Sequence, residues 1–235
     1  MKWQGKQIPR ILYPARCALC DRLLEKEERE VCADCGSRLP FITGQVCCSC
    51  GRPLEDEEEL CRDCESRRHS YWQSLAPFPY TGRVQRSILR MKYGGRPEYA
   101  SFFGHAMTLY GGELLARARP ELLLPVPVHR SRYLSRGYNQ AELLGSRISE
   151  LTGIPMEKDL LVRCRKTVAQ KNLDPRERQK NLQHAFLLRA DSLPLSCVLL
   201  VDDIYTTGST LDALSALLLE AGVGRVYGLC ACIRP

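Results

Sequence analysis

Four Cys-x-x-Cys pairs in series, Cys17/Cys20, Cys32/Cys35, Cys47/Cys50 and Cys61/Cys64, limit what this chain can fold into more than any other feature. Nine of its thirteen cysteines lie between Cys17 and Cys64, and only Cys164, Cys197, Cys230 and Cys232 lie beyond. Residues 1–66 are otherwise charged and poor in long apolar segments, so they cannot bury much core unaided. The opening Met1–Arg10 stretch has no apolar, signal-like centre, and a cytoplasmic protein is the expectation. In that reducing setting, clustered cysteines argue for metal ligation over disulfides. No apolar run reaches bilayer-spanning length, because the longest candidates are cut by Pro125, Pro127 or the Asp202-Asp203 pair.

Two residues between thiolates let both sulfurs of a pair reach one ion, and two such pairs complete a tetrahedral four-sulfur site. Ala33–Gly36 and Ser49–Pro53 resemble the knuckle turns of zinc ribbons. The simplest assignment is two structural zinc sites, the first and second pairs on one ion and the third and fourth on another. Spacing alone also permits an interleaved arrangement, first with third. Four thiolates close the coordination shell, leaving no position for a substrate water. Cys48, adjacent to Cys47, is either a substitute ligand or a packing thiol. The four distal cysteines read as small buried hydrophobes, and the four histidines show no ligand spacing.

A boundary near residue 66 separates this expected double-ribbon module (1–66) from a larger domain (67–235). The larger domain opens with Tyr71–Tyr80, an apolar, aromatic stretch that reads as a strand interrupted by prolines. In Gly82–Tyr93, Val84, Ile88, Leu89 and Met91 recur at helical spacing, with Arg83, Arg86 and Arg90 on the other side. Pro97–Ala118 reads as a second helix with a first-turn proline. From there strands and helices alternate: Leu122–Val126, the helix Gln140–Leu151, Val198–Val201, the helix Leu211–Ala221 and Val226–Ile233. That pattern predicts an α/β fold with a mostly parallel sheet and flanking helices. Hydrophobic residues at 44% suffice for its core, and the net charge of +7 is too mild to select a partner.

The segment from Val198 to Leu211 carries the chemistry. A buried apolar strand delivers Asp202 and Asp203 to its C-terminal end, where open α/β sheets bind ligands. The small turn Thr206-Thr207-Gly208-Ser209-Thr210 then begins a helix, so its amides and hydroxyls can hold a phosphate. Gly208 allows the turn and a close approach. Two acids beside such a turn suit a vicinal diol or water on a divalent cation. The plain alternative is a capped strand–turn–helix connection with exposed acids, but adjacent carboxylates at an apolar strand end repel each other and serve no packing purpose.

This segment resembles the signature of type I phosphoribosyltransferases. Further stretches narrow the resemblance to the ComF (ComFC) competence-protein family: Pro125-Val-Pro-Val-His129-Arg130 through Arg132 and Arg136-Gly-Tyr-Asn-Gln140, then Arg163-x-Arg-Lys166-Thr-x-x-Gln170 with Arg176 and Asn181. With the paired cysteines and Lys92-Tyr93-Gly94, the similarity spans nearly the whole chain. It implies a type I phosphoribosyltransferase-like domain behind a double zinc ribbon, binding 5-phosphoribosyl-1-diphosphate with magnesium. Asp202 and Asp203 would hold the ribose hydroxyls, and Thr206, Thr207, Gly208, Ser209 and Thr210 the 5-phosphate. A loop over His129–Gly137, carrying His129, Arg132 and Arg136, would grip the diphosphate. A mobile loop over Lys166–Asp174 would close on it with Lys166 and Gln170.

Two functions of different class follow from the resemblance. One is a competence protein that handles transforming single-stranded DNA alongside a helicase and a strand-binding processing protein, its ligand pocket regulatory or vestigial. The other is an active phosphoribosyltransferase on an unidentified base. Arg83, Arg86, Arg90 and Lys92 are the candidate nucleic-acid contacts, within a basic stretch.

Overall fold

The computed structural model describes residues 14–55, 58–164 and 185–235. Two small cysteine knuckles come first, each followed by one turn of helix, α1 (Ala33–Gly36) and α2 (Arg62–Ser66). The knuckles share one hydrogen-bond scheme. Cys17 N–H donates to Arg22 O and Asp21 N–H to Cys17 O; Cys47 N–H donates to Arg52 O and Gly51 N–H to Cys47 O. That scheme needs a left-handed residue, supplied by Asp21 (φ 67°) and Gly51 (φ 75°). At Gly51 a side chain is excluded, since a Cβ would lie 2.7 Å from Ser74 O.

The chain continues through β1 (Gln73–Leu75), β2 (Phe78–Pro79), α3 (Gly82–Tyr93), α4 (Tyr99–Tyr110), α5 (Gly112–Ala118), β3 (Leu122–Pro125), α6 (Arg130–Arg136) and α7 (Gln140–Thr152). It ends with β4 (Leu161–Arg163), β5 (Phe186–Leu188), β6 (Cys197–Tyr205), α8 (Ser209–Glu220) and β7 (Arg225–Ile233). The main sheet is parallel throughout, in the order β1-β7-β6-β3, with β2 also on β7. β4 and β5 form a separate antiparallel pair.

Tyr71–Tyr80 is thus one bent edge strand in two pieces. Pro77 turns its carbonyl away from the ladder to accept from Ile42 N–H at 2.7 Å, and Pro79 is tolerated because it lies at an edge. The single helix expected over Pro97–Ala118 is two, parted at Gly111, where a Cβ would stand 2.9 Å from Met107 O and 3.2 Å from Leu229. β6 runs past Val201 to Tyr205, so the acidic pair lies inside the strand. His129–Gly137, expected as a loop, is the short helix α6, with His129 as its N-cap and Gly137 (φ 85°) ending it.

The apolar residues form two cores, one on each face of the sheet. Val84, Ile88, Phe103, Met107, Leu144 and Ile148 from α3, α4 and α7 fill one, together with Leu199 and Leu229. Leu211, Leu214 and Leu218 of α8 fill the other, with Leu200, Phe186 and Val226. Each core also takes in one cysteine tetrad, Cys17 with Cys32 and Cys35 on the first face, Cys47 with Cys50, Cys61 and Cys64 on the second. The ribbons are packed onto opposite sides of the sheet.

This arrangement fixes where a ligand can sit. From β3 the chain travels outward through α7 to Met156, which bridges Leu123 in parallel; from β6 it travels the other way, through α8 to β7. Connections diverge at the C-terminal ends of β3 and β6, opening the crevice that such sheets use for binding.

Candidate ligand cleft and paired metal centres

In the crevice lies a cleft of about 170 Å³ whose walls include Val126, Pro127 and Val128 after β3, Asp202 and Asp203 of β6, and Thr210 of α8. Of the hydroxyl-rich turn, Thr210 lines the cleft beside the acidic pair, and Thr206, Thr207, Gly208 and Ser209 are not among the lining residues. Among the described residues, Lys92 and Tyr93 from the end of α3, Arg132 and Arg136 from α6, Gln140 from α7 and Arg163 from β4 also line it. Four cations and two carboxylates face one another across it.

Their chemistry follows from that crowding. Lys92 Nζ stands 2.5 Å from Asp203 Oδ2. Burial works against the Lys92 ammonium, but attraction to Asp203, its hydrogen bond there and nearby Asp202 outweigh it and raise its pKa. Burial, then repulsion from Asp203, pushes the Asp202 carboxyl up to about 8, although Asp203 N–H donates to Asp202 Oδ1 at 2.8 Å. Arg163 is lowered by burial and then by Arg132, with Asp202 opposing. The Arg136 guanidinium lies 5.2 Å from the centre of the Tyr93 ring, which is 73% exposed. Arg132 and Arg136 are four residues apart on α6 and so share a side of the helix.

Gly208 adopts φ 72° and caps α8, as a tight turn into a helix requires. Thr206 and Thr207 are exposed on that turn, and the Thr207 and Ser209 hydroxyls lie 2.9 Å apart. His129 does not line the cleft; its Nδ1 is engaged by Ser131. Lys166 and Gln170 lie outside the described residues. Arg83 pairs with Asp34 at 3.1 Å and also reaches Cys35 Sγ, while Arg90 lies 3.9 Å from Asp21, so both are tied to the first ribbon. Arg86 is exposed, and Lys92 belongs to the cleft.

Gln140 had been only one letter of a motif. It is 2% exposed, with an Nε2 that has no hydrogen-bond partner among the described residues, on the cleft wall. Arg163, too, was motif without a role. Tyr93 is reached only because α3 ends at Gly94 beside β6, a proximity that no local pattern announces.

Away from the cleft the eight paired cysteines form two tetrads, Cys17/Cys20/Cys32/Cys35 and Cys47/Cys50/Cys61/Cys64, each with its sulfurs within 4.8 Å of one another. Consecutive pairs therefore share a site, and the interleaved alternative falls. Tetrahedral zinc with Zn–S bonds of about 2.3 Å needs sulfurs about 3.8 Å apart. Cys20 and Cys32 sulfurs are 3.8 Å apart and those of Cys50 and Cys61 3.7 Å. The donors fit zinc in both tetrads, where it would cross-link residues that have little core of their own. Cys48 is exposed and outside the tetrad. Among the described residues no helix is long and apolar enough to cross a membrane.

The strand order, the flanking helices and the acidic pair within β6 define an α/β unit built on a parallel sheet, carrying a double zinc ribbon. The chain belongs to the ComF competence-protein family. It is 30% identical over 227 residues to DNA utilization protein YhgH of Salmonella typhimurium, covering 94% of this chain and 98% of that one. It is 29% identical over 221 residues to Competence protein F of Haemophilus influenzae (91% and 96%) and 29% identical over 227 residues to Competence protein ComFC of Bacillus subtilis (88% and 89%). The double zinc ribbon domain family matches residues 8–65. Among solved structures, purine phosphoribosyltransferase from Pyrococcus horikoshii aligns with 57% of this chain and 75% of its own at 15% identity, with a TM-score of 0.38. Adenine phosphoribosyltransferase from Saccharomyces cerevisiae aligns with 57% and 69%, again at 15% identity, with a TM-score of 0.37.

Proposed function

We propose that the chain is a cytoplasmic competence protein that handles transforming single-stranded DNA and whose cleft binds 5-phosphoribosyl-1-diphosphate. The observation that carries the reading is the meeting of Asp202, Asp203 and Thr210 with Lys92, Arg132 and Arg136 in a single cleft. A ribose diol needs acceptors, and the carboxylates supply them. The 5-phosphate needs donors at a helix start, and Thr206–Thr210 supply them. The diphosphate needs cations, which α6 and α3 present. Asp202 and Asp203 also offer the hard oxygen donors that magnesium prefers. When bound, magnesium would neutralise diphosphate charge and stabilise it as a leaving group.

The active-transferase alternative uses the same contacts, with positioning and charge stabilisation doing most of the work. Contact with the DNA backbone would come from the Arg83, Arg86 and Arg90 face of α3, and the helicase and strand-processing partners from membership of the family. Calorimetric titration of metal-loaded protein with phosphoribosyl diphosphate and magnesium, with and without single-stranded DNA, tests the reading. Saturable one-site binding is expected, and its absence sinks it. Pyrophosphate release on adding nucleobases would favour the transferase.

A further inference from the structure

Beneath the Thr206–Thr210 turn lies a part of the molecule that the ligand reading leaves unused. Arg67–Tyr71 connects α2 of the second ribbon to β1, and it is bound to both sides of the turn. On the helix side, the Asp212 carboxylate is 2% exposed and accepts from three donors of the connector: Arg67 Nη2, His69 Nδ1 at 2.9 Å and the Ser70 N–H at 2.9 Å. Asp212 N–H in turn donates to Gly208 O at 2.8 Å. On the strand side, the Tyr71 and Tyr205 hydroxyls share a 2.6 Å hydrogen bond, and His69 stacks on Tyr71 with ring centres 4.6 Å apart. The second ribbon adds a longer contact, Arg52 Nη2 to Thr206 O at 3.5 Å, with Arg52 also 2.9 Å from Asp63.

Gly208 rests on this support with no space to spare. A Cβ there would come 2.5 Å from Tyr205 Oη, 2.9 Å from Tyr71 Oη and 3.1 Å from His69 Cε1. A turn of small residues has many conformations open to it, and only one presents its amides to a phosphate. Holding it from behind removes the ordering cost from the binding step. A buried carboxylate with three donors is also a strong anchor, because losing it removes the acceptor facing the nearly buried His69 side chain.

We propose that Asp212 is a positioning residue for the phosphate turn, acting through the Arg67–Tyr71 connector, so that the second ribbon presets the turn for its ligand. The inference rests on the phosphate role assigned above but can be measured without a ligand. Amide hydrogen exchange over residues 205–212 and calorimetry with phosphoribosyl diphosphate and magnesium are compared for four proteins: wild type, Asp212→Asn, Tyr71→Phe and Phe103→Leu. Phe103 is fully buried on the opposite face and serves as a destabilised control. Asp212→Asn should speed exchange across the turn and weaken ligand binding by about tenfold each, with zinc content unchanged. Tyr71→Phe should move both in the same direction by a few-fold, and it carries the test alone if Asp212→Asn does not fold. Phe103→Leu should lower the melting temperature and change neither. Wild-type exchange and affinity in both Asp212→Asn and Tyr71→Phe, or equal losses in Phe103→Leu, overturn the proposal. If the wild type binds no phosphoribosyl diphosphate, the ligand assignment fails, and the exchange comparison still decides whether the connector sets the turn.

Discussion

Asp202→Asn should make the ligand-free protein more stable and the ligand-binding protein inert. Asp202 sits against Asp203 with its carboxyl pushed up to about 8 by burial and by that neighbour, from an ordinary 3.8. At neutral pH the folded chain therefore keeps a proton that the unfolded chain has released. Stability falls as pH rises from about 4 toward about 8, the sign expected wherever the folded state binds more protons. At about 1.36 kcal/mol per unit, the interval from 3.8 to pH 7 amounts to about 4 kcal/mol, and water in the open cleft reduces that to about 2 kcal/mol. Asparagine removes this penalty while keeping an oxygen for the Asp203 N–H. For a chain of this size the expected gain is about 4–8 °C in melting temperature at neutral pH. Thermal unfolding without ligand should show the gain in full near pH 8 and losing it toward pH 4. The same runs with phosphoribosyl diphosphate and magnesium should stabilise the wild type only. A variant less stable than wild type at pH 8, or a gain that ignores pH, refutes the reasoning.

Three further outcomes are expected. Arg132→Ala and Arg136→Ala should each weaken phosphoribosyl diphosphate about tenfold, the value of one charge-assisted hydrogen bond, and far less for ribose 5-phosphate, which lacks the diphosphate; equal losses for both ligands would remove α6 from the diphosphate end. Metal analysis should return two zinc ions per chain, unchanged by Cys48→Ser and reduced to one by Cys50→Ser; two retained in the latter would contradict a four-sulfur site. Replacement of the exposed Arg86 by alanine should flatten the dependence of log affinity for single-stranded DNA on log salt by about 0.7, the value of one lost phosphate contact, leaving phosphoribosyl diphosphate binding intact. An unchanged slope moves the strand contact elsewhere.

What the sequence displayed was its local chemistry. Val84, Ile88 and Met91 fix α3 over Gly82–Tyr93 because helical spacing leaves one apolar face, and the structure agrees to the residue. The cysteine spacing announced two ribbons, and only the fold settled which pairs share an ion, since the first and third pairs lie on opposite faces of the sheet. Elements whose form depends on distant contacts were less legible. The stretch Pro97–Ala118 parts at Gly111, where a side chain would crowd Met107 and Leu229, and α6 forms where arginines after a strand end suggest a loop. At the cleft, the acidic pair and the turn were readable because neighbours in sequence carry them. Tyr93, Gln140 and Arg163 come from three other elements, and Asp212 resembles any first-turn acid of a helix until Arg67 and His69 are seen around it.

The two ribbons are attached to two different elements that border the cleft. The first is joined to α3, the helix that delivers Lys92: the Ser87 hydroxyl donates to Ala18 O, Arg83 pairs with Asp34, and Arg90 approaches Asp21. The second is joined to the Thr206–Thr210 turn through Arg67–Tyr71. Lys92 and the turn approach the acidic pair from opposite faces of the sheet, and neither is fixed by the sheet alone. An α/β core can hold Asp202 and Asp203 through the parallel ladders of β6 with β3 and β7. The cation that pairs with Asp203, Lys92, stands near a helix end, and Thr210 follows a turn, so both need outside support. A cross-linked ribbon supplies rigidity that so few residues could not obtain from apolar burial. Loss of the first tetrad should therefore loosen Lys92 and loss of the second the Thr206–Thr210 turn, so that damage to either ribbon reaches the cleft by a separate path.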